Sequence, residues 1–291
     1  MSHFIVMVIG DDPEEQLEEF DENLVVDEYE TGAVSDTDKQ EMLDYYAGEG
    51  HIFSSFDECY KQFGEEWDGG RCRKDANGIW QAYSTYNPNS KWDWYELGGR
   101  WSGEFIILKP DATSGIYGST GLGDRAPGID AALKIDIDFD AIRKKYEDEG
   151  RKYYQEIVGK CGGTIPKLDL PWENIRDGAQ YKNLTIDEKR ALYHAQQSVI
   201  QWEEAGFNKE FYGPQLEDFQ CTENEYVQRC VANSFVPYAF VINGEWYGRG
   251  DMGWWGVSSN ELPQEVWENK VWEMVKTLPD DAFISFYDCH I

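Results

Sequence analysis

The chain has 291 residues and a formal charge of −30, from 56 acidic against 26 basic side chains, yet 41% of it is hydrophobic and 15% aromatic. That apolar content excludes a disordered chain, while the charge disfavours direct binding to nucleic acid or an anionic membrane and favours basic protein surfaces. The length allows two domains, or one domain carrying a large insertion.

The six cysteines are spread without a C-x-x-C pair or a close Cys/His quartet, so neither a zinc site nor any other metal or cofactor is expected, and the thiols should be reduced. Residues 1–9 lack the basic region and cleavage site of a signal peptide, and no apolar run reaches the roughly 18 residues of a membrane span. The expectation is a cytoplasmic protein.

In chain order, the apolar run Phe4–Ile9 predicts a central strand covered on both faces. From Asp11 to Asp38 come thirteen acidic residues and no Lys or Arg, which predicts an exposed loop or a short helix over Pro13–Phe20. Its carboxylates, Glu14, Glu15, Glu18, Glu19, Asp21 and Glu22 foremost, are either a solvated face or a docking surface for a basic partner. Short helices follow over Asp38–Tyr46 and Ser55–Phe63, the second with Ser55 as N-cap and Glu58 closing a capping box. His51 falls in the loop between them. Asp75–Gly78 is a turn signal that leads into a strand over Ile79–Tyr83, making a hairpin.

The stretch Asn87–Gly103 concentrates Trp92, Trp94, Tyr95 and Trp101 around a Gly98-Gly99 break, with Asp93 and Arg100 among them. As a strand it would put Trp92 and Trp94 on one face. Two readings stand side by side: an aromatic core, in which truncating Trp94 or Trp101 is strongly destabilising, or an aromatic-walled pocket with Arg100 as an anion anchor. Gly115 to Gly128 reads as a mobile loop by composition. Ala132–Asp140 alternates like an edge strand, with Asp140 placed to cap a helix over Ala141–Val158. Asp136, Asp138, Asp140 and Glu147 occupy calcium-loop positions, but Ala141 stands where the loop needs Gly.

Thr185 and Glu188 form a capping box for a helix running to Ala205, and Thr222 caps another over Glu223–Ala232. The chain then returns to β character. Tyr238–Ile242 and Glu245–Gly248 flank Asn243-Gly244, the strongest short hairpin signal. Gly250–Gly256 is a second glycine-aromatic loop holding Trp254 and Trp255, a helix covers about Pro263–Thr277, and Ala282–Ile291 is a terminal strand.

Ser2-His3-Phe4, Ser90-Lys-Trp-Asp-Trp-Tyr95 with Gly98-Gly-Arg-Trp101, Gly250-Asp-Met-Gly-Trp-Trp-Gly256 and Asp288-Cys-His-Ile291 together resemble a family of uncharacterised proteins of tailed phages and prophages. The likeness covers motifs toward both ends, about half the chain, and brings no catalytic residues with it. It implies a phage accessory protein made inside the bacterial cell.

The sequence thus predicts an α+β fold whose mixed or antiparallel sheet core is built from residues 1–135 and 236–291, with a helical insertion at 136–235. The leading functional expectation is a binding inhibitor that docks its acidic surface, as a possible DNA mimic, on a host defence complex such as a restriction, CRISPR or Gabija-type nuclease. The alternative is an enzyme or binding protein for a nucleotide or other small anion, in a pocket of Trp92, Asp93, Trp94, Arg100, Trp101, Trp254 and Trp255. His3, His51, Asp251, Asp288 and His290 are the further polar groups that such a site could recruit if the terminal strands pair.

Overall fold

The computed structural model describes residues 2–121, 123–207, 213–253 and 256–291. Its regular elements begin with β1 (His3–Ile9), α1 (Pro13–Glu18), β2 (Tyr29–Ala33), α2 (Asp36–Gly48), α3 (Phe56–Asp68), β3 (Cys72–Lys74), β4 (Trp80–Ser84) and β5 (Trp94–Leu97). Then come β6 (Ala131–Leu133), α4 (Phe139–Lys160), α5 (Trp172–Asp177), α6 (Ile186–His194), α7 (Gln197–Glu204) and α8 (Glu223–Asn233). The last are β7 (Ala239–Ile242), β8 (Glu245–Gly248), β9 (Asp251–Met252), β10 (Ser258–Ser259), α9 (Gln264–Thr277) and β11 (Phe283–His290). Helices and a sheet of mixed direction make this an α+β fold.

The main sheet runs β5-β11-β1-β7-β8, with β6 also paired to β11. β1 and β7 are parallel, with Val6 opposite Ala239, whereas β7–β8 and β11–β6 are antiparallel. Gly10, just past β1, donates its N–H to the Phe283 carbonyl that starts β11, so these neighbours run in opposite directions. The near-continuous apolar run of β1 follows from its central place, with Phe4 to Ile9 all buried. Period two puts Ile5, Met7 and Ile9 of β1 with Ile284 and Phe286 of β11 in one core. The stripe Trp267, Val271 and Val275 of α9 and Ile142 of α4 join the same cluster. Asn243 and Gly244 both take positive φ, 52° and 74°, as the two-residue turn between β7 and β8 demands.

The chain divides into two compact units: residues 1–2, 14–95 and 289–291, and residues 3–13 and 96–288. This differs from the expected single core of 1–135 with 236–291. The first unit closes a core of its own, because Met42 and Tyr46 of α2 meet Cys59 and Tyr60 of α3 with Phe63 and Trp80 against them. It also holds the sheet β2-β4-β3, which contains the predicted hairpin. Within the second unit, every described regular element between β6 and β7 is helical, and α4 packs along α8. Tyr154, Ile157, Val199, Trp202 and Phe219 form a separate apolar cluster there.

Several local expectations are corrected. Ser55 does cap α3, but Glu58 reaches back to the N–H and hydroxyl of Ser54, so the box is shifted by one residue. The predicted edge strand over Ala132–Asp140 shortens to β6, and Asp138 rather than Asp140 caps α4, accepting from Ala141 N at 2.8 Å. Asp136 is turned inward instead, where hydrogen bonds from Ser114 and Thr113 hold its carboxyl below the ordinary range. The helix from Thr185 breaks at Ala195-Gln196 into α6 and α7, where the Gln196 backbone is extended (ψ 136°) and its side-chain amide exchanges two hydrogen bonds with the Leu170 backbone. None of the six cysteines forms a disulfide. Among the described residues no helix is long and apolar enough to cross a membrane.

Candidate functional site

The polar residues of the terminal motifs pair with one another, unit by unit. In the second unit Asp288, 1% exposed on β11, accepts from His3 Nδ1 at 2.8 Å and from the backbone N–H of Arg100 at 3.0 Å. In the first, His290 Nδ1 lies 2.6 Å from Asp93 Oδ1. A carboxylate on Nδ1 orients the imidazole and favours the tautomer whose lone pair lies on Nε2. Each unit thus holds one His–Asp pair. His51 packs its ring near Phe63, at 4.9 Å, and Asp251 accepts from Asn260 at 2.8 Å. Among the described residues no three His, Cys, Asp or Glu side chains converge as a metal would require.

Gly98-Gly99 makes the approach to Asp288 possible. Gly99 has φ +57°, and a Cβ there would lie 2.3 Å from the Asp288 Cβ, so only glycine lets the turn offer its next N–H to the buried carboxylate. Gly99→Ala should therefore cost about 2–4 kcal/mol, from left-handed strain plus overpacking. Gly159→Ala in α4, where nothing lies within 4 Å, should be neutral or stabilising by up to about 1 kcal/mol. Urea midpoints of the two variants check this, and equal midpoints would refute the steric argument.

The aromatic stretch does not form one face. Trp92 is fully buried beside Phe20, with ring centroids 5.6 Å apart, while Trp94 is 44% exposed. The backbone explains it: Trp92 pairs with Asp21 in an isolated bridge, and β5 starts only at Trp94, so the two are not in one regular strand. Trp101 is half-buried against the main core, on the short 3-10 turn Gly99–Trp101. The Arg100 side chain is exposed. Trp254 and Trp255 lie outside the described residues. Five cavities among the described residues, of about 250–640 Å³, are lined by other side chains.

Asp130 carries no motif, yet it organises its surroundings. It is 2% exposed and takes four donors: Gly103 N at 2.6 Å, Gly118 N at 2.7 Å, Arg125 Nη1 at 2.8 Å and the Ser102 hydroxyl at 3.0 Å. Composition predicts a mobile loop over residues 115–128, yet this carboxylate and backbone bonds such as Ala126 N to Ser102 O fasten it down. A Cβ on Gly118 would sit 2.0 Å from the Leu97 carbonyl oxygen, so here glycine serves close approach rather than mobility. The available signal was an acid inside the apolar run Ile129-Asp-Ala-Ala-Leu133.

The acidic segment combines an anchored backbone with outward carboxylates. Leu17 and Phe20 are buried, Glu22 N donates to Trp92 O, and the Asn87 amide donates to the carbonyls of Glu19 and Asp21. Glu14, Glu15, Glu18 and Glu19 are exposed, and Asp21 and Glu22 are half-buried. Within the same unit Asp27, Glu28 and Glu30 are exposed as well, and Glu28 is paired with Arg73.

No protein family, curated protein or solved structure matches this chain.

Proposed function

We propose that the protein is an acidic binding module that occupies a basic, nucleic-acid-binding surface of a partner protein. The motif resemblance makes the expected setting that of a phage accessory protein acting on a host defence nuclease inside the bacterial cell. One observation carries the reading: Glu14, Glu15, Glu18 and Glu19 stand exposed on a short segment whose backbone is tied into a folded unit. A solvated face needs no such anchoring, whereas a surface that presents charge to a partner gains from being held in one arrangement. A net charge of −30 adds a long-range field that speeds encounter with basic grooves and weakens as salt rises.

Neutralisation tests the reading. With Glu14, Glu15, Glu18, Glu19 and Glu22 changed to Gln and Asp21 to Asn, stability should hold, while association with the partner slows by roughly tenfold or more at low ionic strength. The measurement is capture of nucleases from a bacterial lysate across a salt series, followed by binding kinetics on the captured protein. Recovery of no basic partner at low salt, or kinetics that the substitutions leave unchanged at every salt concentration, would remove the proposal.

A further inference from the structure

One cavity belongs to neither the His–Asp pairs nor the acidic segment. It has a volume of about 470 Å³ and lies in the second unit where α8, α9 and the chain at 236–238 meet. That size is within the range of small-molecule sites. Tyr226, Tyr238 and Trp267 supply aromatic wall. Trp267 is held in place by its indole N–H, which donates to Pro237 O at 2.7 Å.

Two opposite charges on this wall lack ionic partners among the described residues. Glu268 is only 9% exposed, and the described residues give it one side-chain donor, Gln264 Nε2 at 2.8 Å. The same Nε2 also donates to Asn233 Oδ1 at 2.8 Å, so Gln264 is held between α8 and α9. A carboxylate accepts about four hydrogen bonds, and one buried without a cation is costly. Arg229, exposed on α8, anchors one terminal nitrogen on the Asp218 carbonyl and on Cys221 Sγ at 3.1 Å, but among the described residues no carboxylate lies within ion-pair distance of it. Arg249, the other cation on the wall, is already neutralised by Glu261 at 3.0 Å. The side chain of Asp218 is exposed.

We propose that this cavity binds a small zwitterion of the amino-acid class, with its ammonium on Glu268, its carboxylate on Arg229 and an apolar or aromatic side chain against Trp267, Tyr226 and Tyr238. A ligand with only one charge leaves one of the two protein charges uncompensated, whereas a zwitterion answers both. The site goes beyond the acidic-surface reading and stands on different residues.

Calorimetric titration of the full-length protein with L-phenylalanine, 2-phenylethylamine and 3-phenylpropionate separates the two contacts. L-Phenylalanine should saturate the site below about 10 mM, and each truncated ligand should bind roughly tenfold more weakly or worse. Glu268→Gln, which keeps a group that can face Gln264, should weaken L-phenylalanine by roughly tenfold and leave 3-phenylpropionate unchanged. Arg229→Gln, at an exposed position, should weaken L-phenylalanine similarly and spare 2-phenylethylamine. Equal binding of the amine and the amino acid, no saturation by any of the three, or unaltered affinity in the Arg229→Gln protein would overturn the proposal.

Discussion

Asp130→Ala should destabilise the second unit by about 3–5 kcal/mol, because it leaves a partly buried guanidinium and two inward N–H groups without their acceptor. In the native protein Arg125 is 25% exposed, stacks on the Tyr117 ring at 4.8 Å, and shares Oδ2 of Asp130 with Ser102 and Gly118. Arg125→Met should cost less, since Asp130 keeps Gly103, Gly118 and Ser102 as donors. Asp130→Asn should fall between the two, because the amide retains one acceptor oxygen but turns an N–H toward donors. Denaturant unfolding of the three variants, with amide exchange at Gly103 and Gly118, gives the order. A loss below about 1 kcal/mol for Asp130→Ala would mean that the loop at 115–128 is held by its backbone bonds alone.

How much of this was legible depended on whether the deciding interaction was local. The strand Phe4–Ile9, the caps at Thr185 and Thr222, the Asn243-Gly244 hairpin and the terminal strand are written in adjacent residues, so sequence reading found them. Local rules misplaced what distant groups decide. Ser114 and Thr113 draw Asp136 out of a would-be edge strand, and the turn at Gln196 that separates α6 from α7 is tied by its side chain to the distant Leu170. The glycines of 115–128 looked like freedom, and only the partner carboxylate at Asp130 shows them to be contact points.

The candidate sites divide in the same way. His3, Asp93, Asp288 and His290 could be named from motifs, but their pairing could not, because which histidine meets which carboxylate is set by strand order β5-β11-β1. Arg229 and Glu268 carry no motif at all. Glu268 sits one residue after Trp267, a member of the apolar stripe of α9, and a helix pattern cannot say that a neighbouring helix leaves a cavity beside it.

The tryptophans of Asn87–Gly103 allow the sharpest comparison, since two of them two residues apart should differ severalfold in what their loss costs. Trp92→Ala removes a fully buried indole that packs against Phe20 and, at a centroid distance of 6.1 Å, against Tyr95, and should cost about 3–5 kcal/mol. The same unit anchors the acidic segment through Glu22 N to Trp92 O and Lys91 N to Phe20 O, so the lost packing should also loosen the segment that presents Glu18 and Glu19. Trp94→Ala removes an indole that is 44% exposed, so much of its apolar surface is already in water, and the cost should stay near or below about 1–1.5 kcal/mol. Thermal melts give both values, and proteolysis within residues 14–22 reports the loosening in Trp92→Ala alone. Equal destabilisation by the two substitutions would place Trp94 in the core and restore the single-face strand that the sequence pattern implied.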